Sequence, residues 1–238
     1  MSFFEINYSK INAWLYCPYL YQFSYIEKKY PPRNPPSSLG TSIHRALKRY
    51  AMENPDLEGL LSAYEESWEN SGYETPQLMM EYYRKGARML ENFWISERER
   101  ESRILAAEKD FEFILGDLAV RGTIDRIDKK KDGKIELIEY KTGESEKYAQ
   151  EIYESLQLDI YALALKKAMN LEVYSVSFWL MAFNEKIEIP YDYSRFEATE
   201  KFLIKTGSEI KNLIFDRKGD CEFCQISSLC RYSEKKKI

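Results

Sequence analysis

Two short stretches of extended-chain pattern, adjacent in the chain, carry acids and a base where a strand would otherwise be apolar. Leu118–Asp128 alternates as a strand does, Lys134–Lys141 does the same, and Asp132-Gly133 between them supplies hairpin turn chemistry. A strand repeats every two residues, so Ile135, Leu137, Glu139 and Lys141 share one face, and two charges continue an apolar stripe. Ionised groups in such a place cost free energy unless they are paired or metal-bound. A Glu-x-Lys pair alone is a weak signal, most often a salt-bridged surface strand. Here Asp125 precedes it across the hairpin, Thr142-Gly143 follows, and a long helical pattern comes next. Carboxylates so placed are hard oxygen donors for Mg²⁺ or Mn²⁺, and Lys141 can act on a nucleophile or on transition-state charge.

The chain has 238 residues, 44% hydrophobic and 31% charged, which is the balance of a globular protein able to bury its own core. No apolar run approaches the length of a membrane span, and the first residues lack a basic leader, so we expect a cytoplasmic protein without membrane attachment or signal peptide. The formal net charge is −4, but it is unevenly spread. Residues 1–50 carry seven Lys or Arg against two acids and residues 201–238 carry nine against five, whereas residues 51–110 carry seven against fourteen. A local basic groove can therefore still track phosphates. The Lys235–Lys237 run on its own reads as a solvated face.

Periodicity predicts helices over 9–27, 38–53 (capped by Ser37 or Ser38), 57–70 and 76–101, strands over 107–115, 117–128 and 134–141, and a helix over 147–169. Strands at 173–183 and 186–190 and a helix over 195–215 follow. A helix between two strands permits a parallel crossover, so the fold class is α/β with a mixed sheet flanked by helices. We expect a single domain: N-terminal helices at 1–54, a helical insertion at 55–104, a core at 105–193 and a C-terminal helix with a cysteine-rich segment at 194–238.

Three of the four cysteines fall within ten residues, Cys221, Cys224 and Cys230, and the fourth is Cys17. Thiols at such spacing in a reducing compartment suit Zn²⁺ or an iron–sulfur cluster better than disulfides. With Cys17 included, all four positions would be filled, which makes the site structural. His44 is the sole histidine, one helical turn after Gly40; Gln157 and Tyr161 lie four apart on the helix after Lys141.

Together, Gly40-x3-His44, Gly122-x2-Asp125-Arg126-x-Asp128, Glu139-x-Lys141-Thr-Gly143, Gln157-x3-Tyr161 and the cysteines closely resemble the RecB-like branch of the PD-(D/E)XK nucleases. Within it the chain is most similar to the iron–sulfur members, among them the family of the fourth CRISPR-associated exonuclease. The resemblance implies a restriction-endonuclease-like fold in which His44, Asp125, Glu139 and the main-chain carbonyl of Tyr140 hold Mg²⁺ or Mn²⁺. Asp125, Glu139 and Lys141 would be catalytic, Lys141 as the ammonium, and Gln157 and Tyr161 would position DNA. It implies a [4Fe–4S] cluster on Cys17, Cys221, Cys224 and Cys230, with zinc the second choice. The activity expected is DNA exonuclease, on single strands or free ends, trimming DNA in CRISPR spacer acquisition beside CRISPR adaptation proteins. The alternatives are a RecB-type repair nuclease and a non-catalytic iron–sulfur DNA-binding module.

Overall fold

The computed structural model describes residues 3–213, 215, 220–222 and 224–233; Lys235–Lys237 lie outside them. In chain order the elements are β1 (Phe4–Ile6), α1 (Tyr8–Tyr16), α2 (Pro18–Tyr21), a π-helical turn (Gln22–Ile26), α3 (Pro35–Glu53), α4 (Leu57–Glu66) and α5 (Pro76–Glu97). Then come β2 (Arg103–Leu115), β3 (Leu118–Lys129), β4 (Ile135–Lys141), α6 (Tyr148–Glu151), a 3-10 turn (Ile152–Glu154) and α7 (Leu156–Met169). The described elements end with β5 (Val173–Leu180), β6 (Glu185–Pro190) and α8 (Arg195–Lys211). The sheet has six strands, in the order β1-β3-β4-β5-β6, with β2 also paired to β3. It is mixed: β4 runs antiparallel to β3 and parallel to β5, the connection to β5 passing through α7. This is the α/β fold class expected from sequence, helices flanking a mixed sheet.

Several boundaries differ from periodicity. The helix expected over 9–27 breaks at Cys17, which adopts extended backbone because Pro18 follows it, and a residue before proline is driven out of the α region. The cap of α3 is Asn34, not Ser37 or Ser38. The Asn34 carboxamide accepts from the Ser37 N–H at 3.0 Å and the Ser37 hydroxyl accepts from the Asn34 N–H at 3.2 Å, with Pro35 and Pro36 pre-set for the first turn. The 57–70 pattern stops at Glu66, because Trp68 leaves the helix to stack on Tyr73 and pack edge-on against Tyr64 and Tyr83. The 76–101 pattern stops at Glu97, where Arg100 turns back onto the Glu97 carboxylate and the Ser102 carbonyl. The strand expected from 107 begins at Arg103. The 147–169 helix is interrupted at Ser155, whose hydroxyl caps α7 by accepting from Leu158 N–H at 3.3 Å. Past Leu180 and Lys211, the 173–183 strand and 195–215 helix give way to turns at left-handed Asn184 and Leu213.

Backbone contacts divide the chain into two compact units, residues 33–111 with 122–195, and residues 1–32 with 112–121 and 196–238. In the first, α3 buries Leu39, Ile43, Leu47 and Tyr50 against Leu60 and Tyr64 of α4, Leu90 and Phe93 of α5, and Ile138, Tyr140 and Trp179 of the sheet. The acidic insertion is thus a layer of helices closing over the sheet, with Glu58, Glu65, Glu66 and Glu81 exposed and Glu97 buried. In the second, β1 pairs in parallel with the start of β3, Ile6 beside Val120. Trp14, Tyr21 and Ile210 form a small core there, and Cys17, Tyr19, Phe23 and Ile226 another. No described helix is long and apolar enough to cross a membrane.

Gly86 marks the tightest helix contact. A Cβ there would lie 2.0 Å from the Tyr64 hydroxyl and 2.7 Å from a Leu39 methyl. Helix propensity favours alanine over glycine by about 1 kcal/mol, while overpacking a core costs about 1–3 kcal/mol. Gly86→Ala is therefore expected to lower stability, read as a lower urea midpoint with unchanged slope; a raised midpoint would mean that the Tyr64 contact yields freely.

Candidate active site

β4 sits between two partners, so six of its seven residues are buried and both its faces are spoken for. One face carries Glu139 toward α7; the other carries Tyr140 toward α3 and α5. Asp125 of β3 is held beside them because the Tyr140 N–H donates to its Oδ2 at 2.9 Å. Glu139 Oε1 accepts from Gln157 Nε2 at 2.7 Å and from Lys141 Nζ at 3.1 Å, and Lys141 also donates to Gln157 Oε1 at 2.8 Å. Gln157 Nε2 lies 3.1 Å from the Tyr161 hydroxyl, whose ring is buried edge-on against Phe111. Tyr161 therefore reaches this group through Gln157.

His44 enters from α3. Its Nδ1 is 3.4 Å from Asp125 Oδ1 and 3.5 Å from Glu108 Oε1. Donor atoms of His44, Glu108 and Asp125 all lie within 4.8 Å of one another, a spacing one cation could span. Beside Gly40 lies Thr142, whose hydroxyl would sit 3.1 Å from a Cβ at that position. Glu108 was not singled out by the sequence. It stands in an ordinary charged stretch of β2, and its only sign is conformational: φ is +45°, a left-handed setting that costs a non-glycine residue about 1–2 kcal/mol. That departure turns the carboxylate toward His44.

The electrostatics are those of a site short of positive charge. Burial and the neighbouring Asp125 carboxylate push Glu139 up to about 7, against the pull of Lys141 and His44. Burial opposes charge on Asp125 too, but His44 and the Tyr140 N–H hold its carboxyl below the usual range. Burial likewise opposes charge on His44, and Asp125 and Glu108 outweigh it, raising the imidazole well above its ordinary value. Glu139 Oε2 is buried with no hydrogen-bond partner among the described residues. Such an orphaned carboxylate oxygen, beside a second carboxylate, is what a divalent cation satisfies; His44, Glu108, Asp125 and Glu139 offer the nitrogen and hard oxygens that Mn²⁺ or Mg²⁺ accept.

Behind Tyr140 a second network is closed. Arg126 is 1% exposed; its guanidinium makes a two-pronged pair with Asp128, 2.7 Å on each arm, and contacts Glu97 at 3.0 Å and the Tyr140 hydroxyl at 3.2 Å. This fork ties β3, β4 and the end of α5 together directly behind the site.

The model of the PD-(D/E)XK nuclease superfamily matches residues 5–231, and the chain belongs to that superfamily. It is accordingly a metal-dependent nuclease in class, a phosphodiester hydrolase with a nucleic-acid substrate. No curated protein matches it. Matching solved structures include one described as "Crystal structure of SSO0001", 19% identical over 80% of this chain and 84% of that one, with a TM-score of 0.40.

The raised Glu139 has a thermodynamic consequence. Its folded value of about 7 exceeds the ordinary 4.5, so between those pH values the folded state keeps a proton that the unfolded chain has released, and stability falls as pH rises. Glu139→Gln is expected to flatten this slope and raise the melting temperature of EDTA-treated protein at pH 7.5 by roughly 5 °C. Mn²⁺ should then raise the wild-type melting temperature and leave the variant unmoved. A variant that melts lower at pH 7.5, or gains as much from Mn²⁺, would contradict this account of the charge.

Proposed function

We propose that this protein is a DNA exonuclease of the RecB-like branch, acting on single strands or free ends with Mg²⁺ or Mn²⁺. The observation that carries the reading is the orphaned, buried Glu139 Oε2, lying where Asp125, His44 and Lys141 converge. His44, Asp125 and Glu139 would hold the metal with the main-chain carbonyl of Tyr140; among the described residues the donor atoms within 4.8 Å of one another are those of His44, Asp125 and Glu108, so Glu108 is a further candidate ligand. When bound, such an ion supplies Lewis-acid polarisation of the phosphodiester and acidifies water. Asp125 is fixed for this task by the Tyr140 N–H, so a donor oxygen keeps its place without a swing of the side chain. Lys141 holds an ammonium against Glu139, oriented from behind by Gln157. From there it can position a nucleophile or offset negative charge that develops on the phosphate.

Lys141→Ala is expected to slow hydrolysis of end-labelled DNA by about 10²–10³-fold while leaving DNA binding largely intact. EDTA should abolish cleavage and Mn²⁺ restore it. A Lys141→Ala protein that degrades DNA at the wild-type rate would exclude this role, and DNA binding without any metal-dependent cleavage would favour the non-catalytic module.

We also infer that Cys17, Cys221, Cys224 and Cys230 bind a [4Fe–4S] cluster. All four line one small cavity, whose wall also includes Tyr16, Tyr19, Leu20, Asp220, Ile226 and Ser227. Burial, with the other three thiols nearby, raises the Cys224 thiol, the condition that a cationic centre reverses. Anaerobically purified protein is expected to be brown and to hold roughly four irons per chain, with Cys230→Ser bleaching the colour. One zinc and no visible absorption would assign the site to zinc instead. A role in trimming DNA for CRISPR spacer acquisition, with CRISPR adaptation proteins as partners, rests on the sequence resemblance alone, as does the alternative of DNA repair.

A further inference from the structure

The N-terminal helices carry a groove that none of the chemistry above uses. It has a volume of 460 Å³, within the ~300–1,000 Å³ of ordinary ligand clefts, and is lined by Tyr8, Tyr16, Tyr25 and Tyr30. Its polar groups include the Asn12 and Gln225 carboxamides and the Ser24 hydroxyl, and no charged side chain among the described residues lines it. In a chain with 31% charged residues that composition is unusual. Phosphates call for cations; aromatic faces interleaved with carboxamides and hydroxyls suit flat, hydrogen-bonding rings.

A second observation, from the backbone, points to the same place. Ser24 and Tyr25 belong to the π-helical turn Gln22–Ile26, in which the Glu27 N–H reaches the Gln22 carbonyl at 2.9 Å. Such turns are rare, poorer in hydrogen-bond geometry than the α-helix, and found mostly at functional sites. After it the chain takes a left-handed residue at Lys28 and leads on to Tyr30, which is 69% exposed. An aromatic ring held that far into solvent buries little of its own surface, so packing does not account for it. Tyr25 is braced from below by Tyr21, ring centres 5.3 Å apart, and so forms a firm wall. Gln225, which also lines the groove, belongs to the segment that carries Cys224.

We propose that this groove is a base-binding subsite for single-stranded nucleic acid, in which Tyr25 and Tyr30 stack on nucleobases and Asn12 and Gln225 bond their edges. The inference rests on the nucleic-acid reading above but assigns a second contact, separate from the carboxylates that hold the metal. Because every base has a π-face, the subsite would retain a strand with little regard to sequence. Its neutrality predicts that this share of the affinity is little weakened by salt, unlike phosphate contacts.

The test is fluorescence anisotropy of the full-length protein with a fluorescein-labelled oligothymidine, in EDTA to stop hydrolysis, beside an oligomer of the same length whose residues lack bases. Tyr30→Ala, at an exposed position, is expected to weaken binding of the oligothymidine roughly tenfold, and Tyr25→Ala with Tyr30→Ala further. Tyr30→Phe should bind as wild type, and the baseless oligomer should bind all the proteins equally weakly. Variants that bind the oligothymidine like wild type, or that lose the two oligomers in equal measure, would overturn the proposal while leaving the nuclease reading standing. A wild-type protein that binds neither oligomer would remove both.

Discussion

Two carboxylates that repel one another, forced into one buried space by neighbouring strands, are the constraint around which this fold is arranged. Burial alone would neutralise both. Instead Asp125 is kept charged by His44 and a main-chain N–H, and Glu139, which has His44 and Lys141 nearby but no main-chain donor among the described residues, is pushed up to about 7 by burial and the Asp125 carboxylate. The difference follows from donors. Asp125 has a fixed donor on one oxygen and the imidazole on the other, whereas one oxygen of Glu139 has none among the described residues. The site is therefore organised but electrostatically incomplete, and the missing positive charge is what a divalent cation would supply.

That tension is tolerable only if the strands cannot move apart, and the Arg126 network supplies the restraint. Arg126, Asp128 and Glu97 are buried, both acids pair with Arg126, and Arg126 touches the hydroxyl of the tyrosine whose N–H holds Asp125. Asp125 and Arg126 are consecutive, so they leave β3 on opposite faces: one to the reactive group, the other to the brace behind it. A buried ion network of this kind is poor evidence for stability in itself, since apolar packing of equal volume often does as well. Its directional bonds fix register where a slip of one residue would send Asp125 to the wrong face.

Much of this was legible in the sequence, and the parts that were not share a cause. Period-two alternation placed Glu139 and Lys141 on one face, and i, i+4 spacing placed Gln157 and Tyr161 together, because both are local consequences of backbone geometry. Asp125 could be expected near them because a hairpin is short. Glu108 could not. It approaches His44 through a left-handed backbone setting inside β2, which neither propensity nor spacing encodes. The π-turn was equally hidden: residues 9–27 have a continuous helical pattern, and only Pro18 hinted at a break. Capping by Asn34 rather than a serine was readable in principle, since Pro35 and Pro36 belong in a first turn and leave the cap to the residue before them.

The charge distribution resolves an apparent conflict between a net charge of −4 and a polyanionic substrate. Potential at a surface is a local quantity, falling within about 8–10 Å at physiological salt. Six of the fourteen acids of residues 51–110 lie on α4 and α5, whose buried faces pack on α3 and the sheet; of these Glu58, Glu65, Glu66 and Glu81 are exposed and Glu97 is buried. On α3, Arg45 and Lys48 are exposed and line a 500 Å³ groove with His44, Gly40 and Thr142, in which Glu108 is the one acid. Glu108 and His44 offset one another at 3.5 Å and Arg45 lies 3.7 Å from Glu69, so the positive excess of that wall is small and centred on Lys48. A phosphodiester approaching the carboxylates along α3 thus passes Arg45 and Lys48 before it reaches the acids that would hold a metal ion. An overall negative sign keeps non-specific adhesion low, and attraction is confined to the surface where it is useful.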